Sequence, residues 1–290
     1  MPAYGSRRAG KGRASLVCTG QDSASGTAPV ESPRSPLRYA GGKTRGAEEI
    51  CEFIPGDARY LCSPFIGGGS VEILCAARDI RVRAFDNYGP LVEFWQCLLG
   101  NPKRLADVVR EYFPLTREQF YELQGGHGRI RSKYRRAAVY YVINRCSFSG
   151  VTMSGGMSPG HPRFTESAIR RLEEFRAPNL TVELADFKMS IPECDESATL
   201  YLDPPYMTAQ GLYGTRGDMH RGFDHRALAD VLQKRGNWVL SYNNTKDVRD
   251  LYADCYFHYP RWKYGMSKDK DSREILIISR DLAQRHGLRI

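Results

Sequence analysis

The fold is decided by one stretch near the start of the chain, ARYLCSPFIGGGSVEILCAA, which spans residues 58–77. Residues 58–62 are a predicted strand, Gly67, Gly68 and Gly69 form a predicted loop, and residues 71–77 are a predicted helix. A second predicted strand, residues 81–85, ends at Asp86-Asn87. A strand, a glycine loop, a helix, a strand and then an acid is the order of a nucleotide-binding βαβ half. The stretch therefore predicts an α/β fold with a ligand site at the loop.

The α/β pattern stops after this stretch and resumes later in the chain. Its later strands are predicted at residues 180–184, 199–202, 238–242 and 274–279, with a helix at 225–235 and a glycine-rich loop at 207–222 that we interpret as a lid. In between, helices are predicted at residues 91–99, 102–112, 117–123, 133–144 and 165–175. We therefore expect a flexible basic tail (1–35), an α/β domain (36–88 and 181–290) and an inserted helical lobe (89–180) with a hairpin near 145–160.

Composition narrows the class of protein. Hydrophobic residues make up 41% of the 290 residues, which is enough to bury a core. The chain has no apolar run of about 18 residues and no secretory signal pattern, so we expect no membrane partner and a cytoplasmic protein. The eight cysteines lie far apart with no CxxC pair. That pattern predicts reduced thiols and no metal site.

The positive charge is concentrated in two segments. The chain carries a net charge of +9; residues 1–45 hold eight Lys or Arg against two acids, and residues 101–180 hold fourteen against seven. Basic segments displace the counterions that surround phosphates, so the distribution favours a polyanion partner such as a nucleic acid. A merely solvated basic surface is the alternative that charge alone leaves open.

The glycine loop favours a particular kind of ligand. Glycines allow the backbone to approach a ligand closely, and Asp86 follows Gly69 by seventeen residues, near the spacing at which an acid binds ribose hydroxyls. However, position 72 is Glu, so GxGxxG is not matched, and no GK[ST] sequence continues the loop. A cofactor that contains adenosine but no phosphate therefore fits better than a nucleotide.

The most informative motif is Asp203-Pro204-Pro205-Tyr206, which follows a predicted strand. Two prolines fix the backbone and remove two donors, so the carbonyl of Pro204 can accept a hydrogen bond beside the Asp203 carboxylate. An amine whose two hydrogens are accepted in this way keeps its lone pair for attack. Tyr206 provides a ring on which a base can stack. The motif predicts a site that holds an exocyclic amine, although a rigid turn after a strand has the same sequence requirements.

Five motifs in order resemble those of the Dam-type (D12 class) adenine-N6 DNA methyltransferases. They are LRYAGGK (37–43), PFIGGGS (64–70), Asp86, Asp186-Phe187 and Asp203-Pro204-Pro205-Tyr206. The stretch NRCSFSG (144–150) resembles the segment that leads into the family's DNA-reading hairpin, and residues 241–244 and 274–277 fit its later strands. The resemblance covers residues 36–280. It implies a Rossmann-like S-adenosylmethionine-dependent methyltransferase fold in which the helical lobe recognises DNA.

The resemblance also assigns roles to individual residues. The expected catalytic residues are Asp203, Pro204, Pro205 and Tyr206. The residues expected to bind S-adenosylmethionine are Tyr39, Ala40, Gly41, Gly42, Lys43, Pro64, Phe65, Gly67, Gly69, Ser70, Asp86, Asn87, Asp186, Phe187 and Asp203. The residues expected to contact DNA are Lys43, Arg131, Lys133, Arg135, Arg136, Asn144, Arg145, Ser147, Ser149 and Met153.

Three positions depart from the family pattern. Ser63 stands where the family usually has a glutamate near the methionine end of the cofactor. We therefore expect either that another acid takes the place of this glutamate or that the affinity for the cofactor is lower. Ser149 replaces an asparagine, and residues 151–157 lack the R-x-N pattern of GATC-reading members. We expect a monomer, nucleoid-associated or phage-encoded, that methylates adenine in a specific sequence of double-stranded DNA. N4-cytosine methylation, RNA adenine methylation and an inactive DNA-binding module remain alternatives.

Overall fold

Seven strands form one sheet in a computed structural model, which describes residues 34–39, 41–158, 163–207, 222–262 and 274–290, without the side chain of Ser149. The strands are β1 (Tyr60–Ser63), β2 (Arg81–Asp86), β3 (Leu180–Leu184), β4 (Thr199–Leu202), β5 (Trp238–Asn243), β6 (Tyr256–His258) and β7 (Glu274–Ile278). Their order is β3-β2-β1-β4-β5-β7-β6. Within this sheet the pairs from β3 to β5 are parallel, and β7 runs antiparallel to both of its neighbours. The predicted Rossmann-like α/β class is confirmed.

The strand order reverses direction at the centre of the sheet. The chain moves outward from β1 to β2 and β3, and then returns to place β4 on the other side of β1, where Leu61 pairs with Thr199 and Cys62 with Leu200. Ligands of open α/β sheets bind at such a switch point, beyond the carboxyl ends of the strands. The segments that follow β1 and β4 are the glycine loop and Asp203-Pro204-Pro205-Tyr206. The topology therefore brings the two main motifs to one edge of the sheet.

Eleven helices surround the sheet within the described ranges. They are α1 (Ala47–Cys51), α2 (Ser70–Ala77), α3 (Gly89–Gly100), α4 (Pro102–Arg110), α5 (Arg117–Gly126), α6 (Lys133–Cys146), α7 (Glu166–Glu173), α8 (Phe187–Glu193), α9 (His225–Gln233), α10 (Lys246–Leu251) and α11 (Arg280–Arg285). None of these helices is both long and apolar enough to span a membrane. The predicted helices of the lobe correspond to α3 to α7, with ends that differ by a few residues.

Helix α6 is the centre of the inserted segment. Ser132 caps its start by accepting a hydrogen bond from the Arg135 N–H at 3.4 Å. From residue 137 onward almost every side chain of α6 is buried, and the ring of Tyr141 stacks on Phe94 of α3 at 5.8 Å with an interplanar angle of 6°. Such all-round burial fixes the end of the helix firmly in place. The chain leaves α6 directly into the predicted hairpin, where Ser147 forms a β-bridge with Met157.

Two cysteines are bonded to each other, so the expectation of reduced thiols throughout the chain is wrong. Cys62 in β1 and Cys194 after α8 form a disulfide whose Cα atoms lie 6.3 Å apart. The pair is 132 residues apart in sequence, and no spacing rule connects positions so distant. The cysteines meet because α8 packs on the same side of the sheet as the buried side chain of Cys62. Other described cysteines, at positions 51, 75, 97, 146 and 255, are free.

Candidate active site

A cavity lies beyond the carboxyl ends of β1 and β4, and we refer to it as the glycine-loop cavity. It is lined by residues 39, 41–43, 65–72, 86–88, 140, 150–153, 201, 203–206 and 223. The N-terminal motif, the glycine loop, the acid after β2 and the motif after β4 thus surround one space. The sequence predicted each of these four segments separately, and the fold brings them together.

The glycine loop is held between two aromatic side chains. Gly67 and Gly69 have positive φ angles of 44° and 67°, which L-residues with a Cβ rarely adopt. A Cβ added at Gly68 would lie 2.8 Å from the Cβ of Tyr39, and one at Gly69 would lie 2.9 Å from Cζ2 of Trp95. The Trp95 indole also donates a hydrogen bond to the Gly67 carbonyl at 3.1 Å. The loop therefore needs glycine for its backbone angles and for its tight packing.

Asp86 ends β2 and borders the cavity with only 9% of its surface exposed. Its carboxylate accepts hydrogen bonds from the backbone N–H groups of Gly67, at 3.2 Å, and Tyr88, at 3.0 Å. Burial raises the pKa of Asp86 to about 6, although these backbone donors act in the opposite direction. Because a carboxylate offers about four acceptor positions, Asp86 retains the capacity to accept further hydroxyl donors.

Lys43, which is buried, and Asp203, which is partly exposed, form an ion pair in the lining of the cavity. The Lys43 ammonium donates to both carboxylate oxygens of Asp203 at 2.7 Å and to the Gly41 carbonyl at 2.9 Å, and it lies 3.6 Å from a carboxylate oxygen of Glu274. Burial alone would lower the pKa of Lys43, but the charges of Asp203 and Glu274 outweigh burial and raise this pKa. Lys43 is therefore charged at neutral pH. Sequence reasoning predicted both members of the pair but not their contact.

Tyr206 connects this ion pair to strands β5 and β7. Its single hydroxyl hydrogen is within reach of two carboxylates, that of Glu274 of β7 and, at 3.3 Å, that of Asp203. Its ring stacks against Tyr242 of β5, with centroids 5.8 Å apart, and the Lys43 ammonium lies 5.2 Å from its centroid. The ring is thus fixed from several directions beside the Asp203 carboxylate. A pre-positioned ring of this kind is suited to stacking on a planar ligand.

A second buried acid borders the cavity and was not predicted as a site residue. Glu72 lies in the first turn of α2 with 2% exposure, and it accepts a hydrogen bond from the hydroxyl of Ser63 at 2.5 Å. Burial raises the pKa of Glu72 to about 7. A sequence signal was present, because Glu72 directly follows the glycine loop on a helix. The contact with Ser63 depends on the turn between β1 and α2 and is visible only in the structure.

Aromatic rings line another part of the glycine-loop cavity. Phe65 and Phe223 line it, and their ring centroids are 5.7 Å apart. Phe187, which is 3% exposed, packs behind both rings at 5.9 Å and 5.3 Å. Asp186 caps α8 by accepting a hydrogen bond from the Lys188 N–H at 2.9 Å. Phe223 was not predicted, because it follows a loop whose sequence has no periodic pattern.

The predicted DNA-reading hairpin is anchored by Asn144 at the end of α6. The Asn144 side chain is fully buried; it accepts from the Arg38 N–H at 2.9 Å and donates to the Arg38 carbonyl at 2.7 Å and to Thr152 Oγ1 at 2.9 Å. Ser147 is also fully buried, and its hydroxyl accepts from the Thr152 N–H at 3.1 Å. These two residues position the hairpin, and direct contact of either with DNA stays a prediction.

The predicted basic contacts differ in their surroundings. Arg131, Lys133 and Arg135 are exposed, with Lys133 donating to Gln96 at 2.9 Å and Arg135 lying 3.1 Å from Glu111. Arg136 forms a two-point contact with Glu93. Arg145 donates to the Arg163 carbonyl at 2.7 Å. Their binding to DNA stays a prediction.

The remaining predicted residues can be placed briefly. Gly41, Gly42, Ser70, Asn87 and Met153 line the glycine-loop cavity, and Pro64 is buried at the start of the loop. Ala40, the Ser149 side chain, residues 1–33 of the predicted tail and most of the predicted lid at 207–222 lie outside the described residues. In the part of the chain that the structure describes, no three His, Cys, Asp or Glu residues are grouped as metal ligands would be.

The sheet order, the glycine loop, the acid after β2 and the motif after β4 define an α/β protein of the Rossmann-like methyltransferase class. A family model described as D12 class N6 adenine-specific DNA methyltransferase matches residues 39–266, which is most of the chain. The chain belongs to this family. It is an adenine-specific DNA methyltransferase of the S-adenosylmethionine-dependent kind, as the sequence motifs indicated.

Several curated relatives agree with this assignment. A DNA adenine methylase of Vibrio cholerae is 26% identical over 264 residues, covering 84% of this chain and 94% of the relative. A Type II methyltransferase of Lactococcus lactis subsp. cremoris is 23% identical and covers 76% and 85%. A DNA N-6-adenine-methyltransferase of Escherichia phage P1 is 25% identical over 79% of this chain, which spans only 32% of that longer protein.

A solved structure of a precorrin-6y C5,15-methyltransferase from Geobacter metallireducens superposes with a TM-score of 0.37 and 9% identity, over 80% of this chain and 85% of that one. The assignment follows from the family match and the sheet order.

Proposed function

We propose that the protein transfers a methyl group from S-adenosylmethionine to the N6 amine of an adenine that is flipped out of duplex DNA at a specific sequence. The N6 nitrogen attacks the methyl carbon in line as the bond from that carbon to sulfur breaks, and the methylated nitrogen then loses its extra proton to solvent. The observation that carries this proposal is the fixed carboxylate of Asp203 at the rim of the glycine-loop cavity. It contacts the Lys43 ammonium and the Tyr206 hydroxyl, at the switch point of the sheet.

The charges of the cavity suit S-adenosylmethionine better than a phosphate-bearing cofactor. Three acids line the cavity, Glu72, Asp86 and Asp203. Among the lining residues that the structure describes, they are accompanied by one basic residue, Lys43. Such a cavity disfavours phosphate and favours a cationic ligand. When bound, S-adenosylmethionine supplies an electrophilic methyl group on a positively charged sulfur. Asp86 is placed to accept the ribose hydroxyls, and the Phe65 side of the cavity is apolar enough to receive the adenine ring.

Asp203 and Pro204 orient the reacting amine. The carboxylate of Asp203 already accepts from Lys43 and Tyr206, but a carboxylate has about four acceptor positions, so one N6 hydrogen can still be accepted. The Pro204 carbonyl accepts the other, because Pro205 carries no N–H that would compete for it. With both hydrogens held, the nitrogen lone pair is directed to the methyl group. Orientation and fixed acceptors of this kind account for a large share of catalysis in such sites.

The position of Tyr206 supports a flipped base. The N6 amine of adenine is paired inside a duplex, so an enzyme that reacts with it must extrude the base. The Tyr206 ring, held by Tyr242 and by the Glu274 hydrogen bond, offers a surface for that base beside Asp203. Stacking of this type contributes about 1–3 kcal/mol per base. The basic lobe and the hairpin around Ser147–Met157 supply the surroundings in which the opened duplex would be held.

The proposal is tested by methylation of random-sequence duplex DNA with S-adenosylmethionine, followed by sequencing that distinguishes modified bases. We expect N6-methyladenine at one recurrent sequence with the wild-type protein and none with D203A. N4-methylcytosine as the product, or methylation confined to RNA, would contradict the proposal. The same reaction on single-stranded DNA measures whether a duplex is required.

A further inference from the structure

Glu72 is a buried acid next to the catalytic motif for which the proposed transfer step has no use. It borders the glycine-loop cavity in the first turn of α2, and its side-chain hydrogen bond comes from Ser63, which is itself fully buried at the end of β1. Burying a carboxylate without a cation in contact is unfavourable, and most acids at such positions are paired. A cationic ligand in the cavity would provide the missing pair.

The two other acids of the cavity have partners that define their positions. Asp203 is held by Lys43, and Asp86 is held by the backbone N–H groups of Gly67 and Tyr88. Glu72 is held by Ser63 at the end of β1, and β1 pairs with β4, the strand that leads into Asp203, so Glu72 lies near the Asp203 end of the cavity. The charges of Asp203 and Lys43 accordingly act on the pKa of Glu72, which Asp203 raises and Lys43 lowers. The methyl group must meet the amine at Asp203. Glu72 therefore lies on the side of the cavity where the sulfonium and the amino-acid end of the cofactor belong.

We propose that Glu72 is a cofactor-binding residue for the cationic amino-acid end of S-adenosylmethionine and that Ser63 positions it. Binding of the cofactor is then expected to release the proton of Glu72 to solvent. This inference rests on the proposed function, since it requires S-adenosylmethionine to be the ligand. The Ser63 hydroxyl, which donates at 2.5 Å, keeps the Glu72 carboxylate in place.

The proposed proton release has a defined direction and pH range. Because the pKa of Glu72 is about 7 without ligand, the group is mostly protonated at pH 6 and must lose its proton to pair with a cation. Affinity should therefore rise with pH between 6 and 7.5, by roughly eightfold if only the ionised form binds. The groups that face Glu72 are Lys43, Asp203, Tyr201 and Cys75.

Asp86, whose pKa is about 6, also titrates in this range. A variant of Glu72 is therefore needed to separate the two carboxyl groups.

Isothermal titration calorimetry of S-adenosylmethionine with the full chain provides the test. Titrations at pH 6.0 and 7.5, in buffers of different ionisation enthalpy, give the dissociation constant and the number of protons released. We expect the wild-type protein to release most of a proton at pH 6 on account of Glu72. E72Q should release correspondingly less and bind about ten- to hundredfold more weakly at pH 7.5, since a charge-assisted pair is lost. E118Q, which changes an exposed first-turn glutamate of α5, is the matched control.

S63A tests the positioning residue separately. The Ser63 hydroxyl favours the ionised form of Glu72, so its removal should move the midpoint of the pH dependence of affinity upward while the proton release remains. A merely structural Glu72 would change the melting temperature of E72Q without changing proton release. Wild-type affinity and unchanged proton release in a folded E72Q would overturn the inference. Absence of S-adenosylmethionine binding by the wild-type protein would instead overturn the proposed function.

Discussion

The ammonium of Lys43 lies 2.7 Å from both carboxylate oxygens of Asp203, although the two residues are 160 positions apart in the chain. This pair makes the N-terminal motif and the motif after β4 parts of one site. Lys43 holds Asp203 in place, lowers the pKa of Asp203 against the effect of burial, and leaves acceptor positions for an amine. Glu274 and the Tyr206 hydroxyl also contact this pair, so the position of each of the four side chains depends on the other three.

Loss of the cation should shift the pH dependence of methyl transfer. In K43M, Asp203 and Glu274 face each other without a neutralising charge, which raises the pKa of Asp203 because burial and the neighbouring carboxylate both disfavour ionisation. Activity should therefore fall more at pH 6 than at pH 8.5, measured as single-turnover rates across that range. K103M removes an exposed lysine paired with Asp107 and should leave the profile unchanged. Parallel loss at all pH values in a folded K43M would contradict this role of Lys43.

Removal of the Asp203 carboxylate should lower the rate of transfer by at least about a hundredfold without abolishing DNA binding. D203A loses an acceptor for the amine and the partner of Lys43, and loss of one fixed electrostatic contact in an active site typically costs about a hundred- to a thousandfold in rate. Transfer of the labelled methyl group and fluorescence anisotropy with labelled duplex measure the two properties. D107A, which changes an exposed ion-paired aspartate, serves as the control. Full activity of D203A would refute the assigned role.

The ring and the hydroxyl of Tyr206 should make separable contributions. Y206F keeps the ring that stacks on Tyr242 and loses the hydrogen bonds to Glu274 and Asp203. Y206A loses both. We expect kcat/KM for the recognised DNA sequence to be lower in Y206A than in Y206F. The difference should correspond to about 1–3 kcal/mol of lost transition-state stabilisation. Equal losses in the two variants would assign the role to the hydroxyl alone.

The glycine loop should not tolerate a single methyl group at Gly69. In G69A the backbone must keep a φ of 67°, which costs roughly 1–2 kcal/mol in a residue with a Cβ, and the new Cβ would press against Trp95. We expect at least about a tenfold loss of S-adenosylmethionine affinity. The control is G56A, because no atom lies within 4 Å of a Cβ built at Gly56. Titration calorimetry at pH 7.5 compares the two variants.

The stability of the ligand-free protein should depend on pH through Glu72. A folded-state pKa of about 7, above the ordinary 4.5, means that the stabilising contribution is complete below pH 4.5 and is lost as pH rises through 7. The difference amounts to about 3 kcal/mol. E72Q should therefore unfold at a higher urea concentration than the wild type at pH 8 and at a similar one at pH 5. A lower midpoint for E72Q at pH 8 would show that ionised Glu72 stabilises the fold.

The parts of the fold that the sequence predicted are those with local signals. The segment from Tyr60 to Ala77 carries a strand, a loop and a helix in its own residues, and α6 is long enough for its type to be evident. By contrast α1, α8, α10 and α11 have five to seven residues, too few to display a helical period, and they were not predicted. Strand β6 was missed for the same reason, with three residues.

The parts of the site that the sequence did not predict depend on contacts between distant segments. Lys43 with Asp203, Ser63 with Glu72 and Cys62 with Cys194 each require the folded sheet to bring two positions together. Asn144 illustrates a different difficulty. A polar residue in a basic lobe is expected to face a ligand, whereas here its amide satisfies buried backbone groups of Arg38 and Gly150.

The side chain of Asn144 also connects the predicted hairpin to the segment that precedes the glycine-loop cavity. Its side chain holds Arg38 on one side and the hairpin on the other, and the neighbour of Arg38, Tyr39, packs on the glycine loop. We expect a displacement of the hairpin to reach the glycine-loop cavity through these two hydrogen bonds. Thermodynamic linkage requires any such coupling to be reciprocal: the factor by which DNA alters cofactor affinity equals the factor by which cofactor alters DNA affinity. A single amide thus sits at the junction through which cooperativity between the two substrates would pass.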